Sequence, residues 1–224
     1  MVSYAVYGFV LGFIIPYIAR RFAKFSPASP AESIWRLLVP VKQVNWKKKF
    51  NAVTYKRLYA GYVWRSFMCG LLTACLFVAA VVCFDPRGTV AMLSFFWALM
   101  LLAEVDYRTY LLPDVITVPL LIGGFVAASF YGSPAESALG ATVGYLLPVI
   151  AGLLIVWRHP DAFGGGDVKL LAAIGAWLGV LPVICTILLA SVFFALFALF
   201  AKRRAGAFGP AISFAAIIVA FYFF

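Results

Sequence analysis

The sequence predicts an all-α fold, a polytopic membrane helix bundle of about eight transmembrane helices with a basic cytoplasmic loop after the first. Three observations predict it. Of 224 residues, 65% are hydrophobic and 12% charged, with a mean hydropathy of +1.03, too little polarity to cover a soluble domain. The apolar residues fall into about eight runs, at 2–19, 66–84, 88–105, 115–131, 137–157, 169–182, 183–201 and 207–224, several near the ~20 residues that cross a bilayer. The basic residues are asymmetric. With the N-terminus outside, the loops 20–65, 106–114, 158–169 and 202–206 are cytoplasmic and hold 17 of the 18 Lys and Arg, leaving Arg87 outside. The positive-inside rule favours that orientation, with both termini on the periplasmic side. The chain then divides into a first span (1–19), a basic cytoplasmic segment (20–65) and a membrane core (66–224).

The first span carries Gly8, Gly12 and Pro16, which permit close packing and a bend. It is too long, and too poor in a small-residue cleavage site, for a signal peptide. The segment 20–65 opens with the loop signal Ser26-Pro27-Ala28-Ser29-Pro30. Next, Glu32-Ser33-Ile34-Trp35-Arg36-Leu37-Leu38 reads as one or two turns of amphipathic helix. The basic and aromatic stretch 46–62 suits a headgroup boundary. Eleven of the basic residues lie in this segment, where contact with anionic membrane lipid accounts for them, so the net charge of +10 does not imply nucleic-acid binding. Cys69, Cys75, Cys83 and Cys185 fall in apolar runs without a C-x-x-C pair and read as small core residues, which suggests no metal site and no disulfide framework.

Spans two and three meet at Phe84-Asp85-Pro86-Arg87-Gly88, and spans four and five at Gly132-Ser133-Pro134-Ala135-Glu136. Asp85 and Glu136 are solvated turn acids there, without chemistry. His159 and Asp161 sit in a cytoplasmic loop, and solvation is again the simpler reading. Spans six and seven are separated within 179–182, where Gly179 and Pro182 break the helix.

The costly acid is Asp167. Gly164, Gly165 and Gly166 form an open hinge immediately before it, at the start of an apolar helix. A carboxylate at membrane depth marks a functional site whose partner must be sought. Among eight Asp and Glu in the whole chain, the remaining candidates are Glu104, Asp106 and Asp114. Span three ends near Val105, which puts Asp106 at the cytoplasmic boundary, the depth of Asp167. Pro113 and Asp114 read as a helix start, proline in the first turn and an acid at the positive end of the dipole. Glu104 lies deeper, either supporting the site or lying along the helix end.

Alone, Asp106 reads as an interfacial acid neighbouring Arg108. Paired with Asp167 it makes a dyad sharing one proton, because two carboxylates that close do not both ionise. One takes a proton from water, the water attacks a peptide carbonyl, and the other protonates the carbonyl oxygen. No metal or organic cofactor is required. Lys169 reads as a snorkelling topology charge facing away from Asp167. The pairs Ala172 with Ala176 and Gly175 with Gly179 allow close helix approach, and are expected to hold the Asp167 helix against the one ending at Asp106.

These motifs resemble those of the type IV prepilin peptidases, membrane aspartic proteases with a G-x-G-D motif. Gly164, Gly166 and Asp167, followed by Lys169-Leu170-Leu171-Ala172-Ala173 and Gly175-Ala176-Trp177-Leu178-Gly179, look like the family's second-aspartate motif. Asp106 with Leu112-Pro113-Asp114 looks like the first, and Phe208-Gly209-Pro210 is similar to the motif opening the last span. The resemblance is strong over 88–224. It implies an enzyme of the bacterial inner membrane that cuts the basic leader from prepilins or pseudopilins at the cytoplasmic face, for pilus biogenesis or type II secretion. Many members carry two C-x-x-C pairs in the first cytoplasmic loop and also methylate the new N-terminus. Residues 20–65 have no cysteine, so that zinc site and N-methylation are not expected here. Substrate recognition is expected to rest on the apolar segment and on local acids such as Glu104 or Asp114.

Three other readings compete. A presenilin-like intramembrane aspartic protease shares the chemistry but cuts within a span, whereas these acids lie at helix ends. A transporter or proton relay would use paired acids near the midplane, and here both lie at one edge. A non-catalytic pilus assembly protein has no need of either aspartate.

Overall fold

The computed structural model describes residues 1–25, 52–155, 164–201 and 206–224. The expected loop and amphipathic turns within 26–51, together with His159 and Asp161, lie outside them. The described residues form eight helices and no strand. They are α1 (Val2–Phe25), α2 (Ala52–Cys83), α3 (Pro86–Thr109), α4 (Asp114–Tyr131), α5 (Pro134–Ile155), α6 (Gly165–Leu178), α7 (Val180–Ala201) and α8 (Gly209–Phe223). Each contains or overlaps one of the eight apolar runs, and the chain is an all-helical polytopic bundle.

Five helices, α1, α2, α3, α5 and α7, are long and apolar enough to cross a membrane by themselves. The other three are shorter: 18 residues in α4, 14 in α6 and 15 in α8, about 21 to 27 Å at 1.5 Å per residue. The largest departure from the hydropathy reading is α2, which begins at Ala52, ahead of the run at 66. Hydropathy detects the apolar, membrane-spanning part of a helix, and no proline interrupts 52–65. The helix therefore carries part of the basic and aromatic stretch with it.

The boundaries have local causes. Asp85 caps α3 by accepting the Arg87 N–H at 2.8 Å, which gives this turn acid its structural role. Tyr110 ends α3 in the left-handed region at φ 55°, its N–H donating to the Asp106 carbonyl at 2.8 Å. Gly179 ends α6 at φ 88°, a conformation open to glycine, and α7 starts at the next residue.

α3 is the central element. In its apolar window 72% of residues are buried within the protein, against 17–33% in the other four long helices. Phe95, Phe96, Leu99 and Leu102 are fully enclosed. α1 lies on α2 through Gly8 and Gly12, where a Cβ would come within 3 Å of the Thr73 backbone oxygen or side chain. The small-residue face of α6 departs from expectation, because it packs against α5 and α4 rather than α3. A Cβ on Gly140 of α5 would overlap the Gly175 carbonyl oxygen, and one on Gly124 of α4 would meet the Ala176 Cβ at 2.6 Å. Ser137 Oγ donates to the Ala176 carbonyl at 2.7 Å, and Trp177 Nε1 donates to the Leu120 carbonyl at 2.7 Å. α6 meets α3 through a large contact instead, Trp177 stacked on Phe95 with centroids 4.9 Å apart. The cysteines depart as well: Cys69 and Cys185 are half-buried and Cys75 and Cys83 exposed, so none belongs to the core.

Candidate active site

Asp106 occupies the last turn of α3 and is only 5% exposed. Its Oδ2 accepts the backbone N–H of Gly209, the first residue of α8, at 2.8 Å. The first N–H groups of a helix have no partner within it, so the start of α8 has a donor to offer. Glycine is what lets it approach, since a Cβ on Gly209 would lie 2.7 Å from Oδ2 and 2.9 Å from the Asp106 Cβ.

Asp167 stands in the first turn of α6, ahead of the apolar run 169–182, and is half-buried. Its carboxyl takes a hydrogen bond from the Gly164 backbone, and a Cβ on Gly164 would lie 3.1 Å from Oδ2. Burial pushes the Asp167 carboxyl up to about 7, and the negative charge of Asp106 adds to the rise. The Gly164 hydrogen bond opposes both. The two aspartates singled out in the sequence, 61 positions apart, thus lie within electrostatic range of each other.

The supporting residues are arranged differently from expectation. Pro113 caps α4 rather than entering its first turn. Its carbonyl accepts the N–H groups of Ile116 and Thr117 at 3.0 and 3.2 Å. Lys169 is not a free topology charge, because its Nζ donates to both carboxylate oxygens of Asp114, at 2.8 and 2.7 Å. Both side chains are nearly half exposed, so the pair is worth about 0–1 kcal/mol. It still links the segment after Asp167 to the segment after Asp106. Gly166 makes the same link by packing, since a Cβ there would meet the Leu112 Cβ at 2.8 Å.

Glu104, 8% exposed, is held between two cations. Arg108 Nε donates to Oε1 at 2.7 Å, and Arg65 Nη2 donates to Oε2 at 2.9 Å. Arg108 therefore serves Glu104, not its nearer sequence neighbour Asp106. Both acids considered for substrate recognition, Glu104 and Asp114, already have cationic partners. The roles of Arg65 and of the Gly209 N–H were not read from the residues. Phe208-Gly209-Pro210 marks a helix start, but nothing local says which acid it faces.

Residues 93–199 match the type IV leader peptidase family. Among curated relatives, the prepilin leader peptidase/N-methyltransferase of Escherichia coli strain K12 is 34% identical over 185 residues, covering 80% of this chain and 76% of that protein. Its namesake in Aeromonas hydrophila is 41% identical over 122 residues, 51% of this chain and 41% of the relative. That of Klebsiella pneumoniae is 41% identical over 128 residues, 54% and 55% respectively. The chain thus spans less than half the length of the Aeromonas relative and about three quarters of the Escherichia one. No solved structure matches. With the match over the central helices and the long alignment to the Escherichia protein, the chain belongs to the type IV leader peptidase family.

Proposed function

We propose that this protein is a membrane aspartic endopeptidase that removes the basic leader of type IV prepilins or pseudopilins at the cytoplasmic face of the bacterial inner membrane, using Asp106 and Asp167. The observation that carries the reading is that the fold brings these two carboxyls, at the ends of α3 and α6, within electrostatic range of each other. Family membership supports the leader-peptidase class, and the distribution of Lys and Arg supports the side of the membrane.

The chemistry follows from one shared proton. Asp167 retains its proton up to about pH 7, so in the singly protonated dyad Asp106 is the carboxylate. Asp106 takes a proton from a water molecule while the water oxygen bonds to the peptide carbonyl carbon. Asp167 gives its proton to the carbonyl oxygen, producing a neutral tetrahedral diol. Asp106 then protonates the departing nitrogen, the C–N bond breaks, and a diol hydroxyl returns its proton to Asp167. The Gly209 N–H fixes the Asp106 carboxylate throughout. With Glu104 and Asp114 already paired to cations, recognition rests mainly on the substrate's apolar segment. The relatives' names also include an N-methyltransferase activity; residues 20–65 hold no cysteine, and only the peptidase activity is proposed.

The test is cleavage of a prepilin-type substrate in membranes. Asp106→Asn and Asp167→Asn should each lower the rate about 100-fold or more, with unchanged helical content, while Asp85→Asn at the opposite end of α3 remains active. Cleavage that survives either site substitution overturns the two-aspartate mechanism.

A further inference from the structure

At one edge of the apolar spans of α1, α2 and α3, three guanidinium groups gather around one carboxylate. Arg65 and Arg108 both bind Glu104. Arg20, near the end of the first apolar span, lies within electrostatic reach of Arg108, Arg65 and Glu104. No carboxylate among the described residues pairs with Arg20; its guanidinium lies 4.0 Å above the Tyr62 ring. The Arg65 guanidinium in turn lies 4.5 Å above the Tyr107 ring. One Arg is enough to neutralise Glu104, so the cluster holds excess positive charge. Stacking on an aromatic face orients a guanidinium without using its N–H edge; Arg65 spends part of that edge on Glu104, whereas Arg20 keeps its edge for a further anion.

We infer that this cluster is a binding site for the phosphate of an anionic phospholipid headgroup. Its depth selects a lipid over a soluble ligand. Arg20 is close to the end of the span Val2–Phe22, Tyr62 and Arg65 are close to the start of Tyr59–Cys83, and Arg108 is the penultimate residue of Pro86–Thr109. All therefore lie at one edge of the bilayer, where headgroup phosphates stand, and it is the positive-rich edge. Glu104 offsets only one of the three guanidinium charges, and an anionic lipid supplies the balance, with charge-assisted hydrogen bonds from the guanidinium edges to phosphate oxygens. The site is separate from the dyad and its occupation does not depend on the proposed peptidase activity.

Native mass spectrometry of the whole protein, titrated in neutral detergent with dioleoyl-phosphatidylglycerol, dioleoyl-phosphatidylcholine or inorganic phosphate, tests this. Phosphatidylglycerol should be retained in preference to phosphatidylcholine. Arg20→Gln should weaken its retention about fivefold, the worth of one basic residue near an anionic headgroup. Arg20→Lys should keep most of it, and Arg87→Gln, at the opposite end of α3, should keep all. Equal retention of the two lipids overturns the inference, as does an Arg20→Gln variant that binds phosphatidylglycerol like the wild type. An equal loss in Arg87→Gln indicates non-specific charge, and displacement of the lipid by equimolar inorganic phosphate indicates a phosphate site without lipid preference; either also overturns it. If Arg20→Gln does not fold, Arg20→Ala with Arg20→Lys as the charged control decides the same question.

Discussion

Asp167 carries a signature that can be measured without a substrate. Its carboxyl is held up to about 7, chiefly by burial and then by the charge of Asp106, against about 4 for an exposed aspartate. Between those values the folded protein keeps a proton that the unfolded chain has released. The native state binds more protons, so stability falls as pH rises from about 4 to about 7. Replacing Asp167 by Asn should flatten that slope in thermal unfolding recorded across the interval. Cleavage should decline on the alkaline side of about pH 7, where the proton donated to the carbonyl oxygen is lost. A wild-type unfolding profile that rises or stays level between pH 4 and 7 would contradict this assignment. Gly209 explains why the opposite acid needs so little space: a backbone amide reaches Asp106 without any side chain, across 103 positions of sequence.

Between elements, the dominant contact at the site is the seating of α6 on α5. Gly140 and Gly175 touch backbone to backbone, and Gly144 lies under the Leu171 carbonyl. Neither face has room for a methyl group. Gly140→Ala should lower stability by about 1–3 kcal/mol, the cost of overpacking, and should depress cleavage because α6 carries Asp167. The control is Gly61→Ala in α2, where a Cβ would meet no heavy atom within 4 Å, and where thermal unfolding should be unchanged or slightly raised. At this scale the sequence was most readable where one residue type carries a cost. Hydropathy located the eight helices, glycine located the corner at 179, and the expensive carboxylate Asp167 led to Asp106, which the fold brings within its electrostatic range. It was least readable where the information is pairwise. The small residues of α6 announce a close neighbour but not that it is α5, and Lys169 and Arg65 become ion-pair partners only once α4 and α3 stand beside them. The helical stretch 52–65 was hidden for another reason, since interfacial aromatics and lysines suit a loop or a helix equally well.

For the whole molecule, the consequence lies in the short reach of α6. Its C-terminal corner at Gly179 lies beside Glu136, in the first turn of α5. The fourteen residues of α6, Asp167's own turn included, cover about 21 Å, against a hydrocarbon thickness near 30 Å. Either lipid compresses around this sector or water descends to meet the carboxyls, and both become harder as acyl chains lengthen. Cleavage in vesicles of phosphatidylcholines with 14-, 18- and 22-carbon monounsaturated chains should therefore be fastest in the thinnest or middle bilayer and fall clearly in the thickest. A rate that increases steadily with chain length would contradict this. On the proposed function, hydrophobic mismatch would make cleavage a gauge of the membrane around the protein.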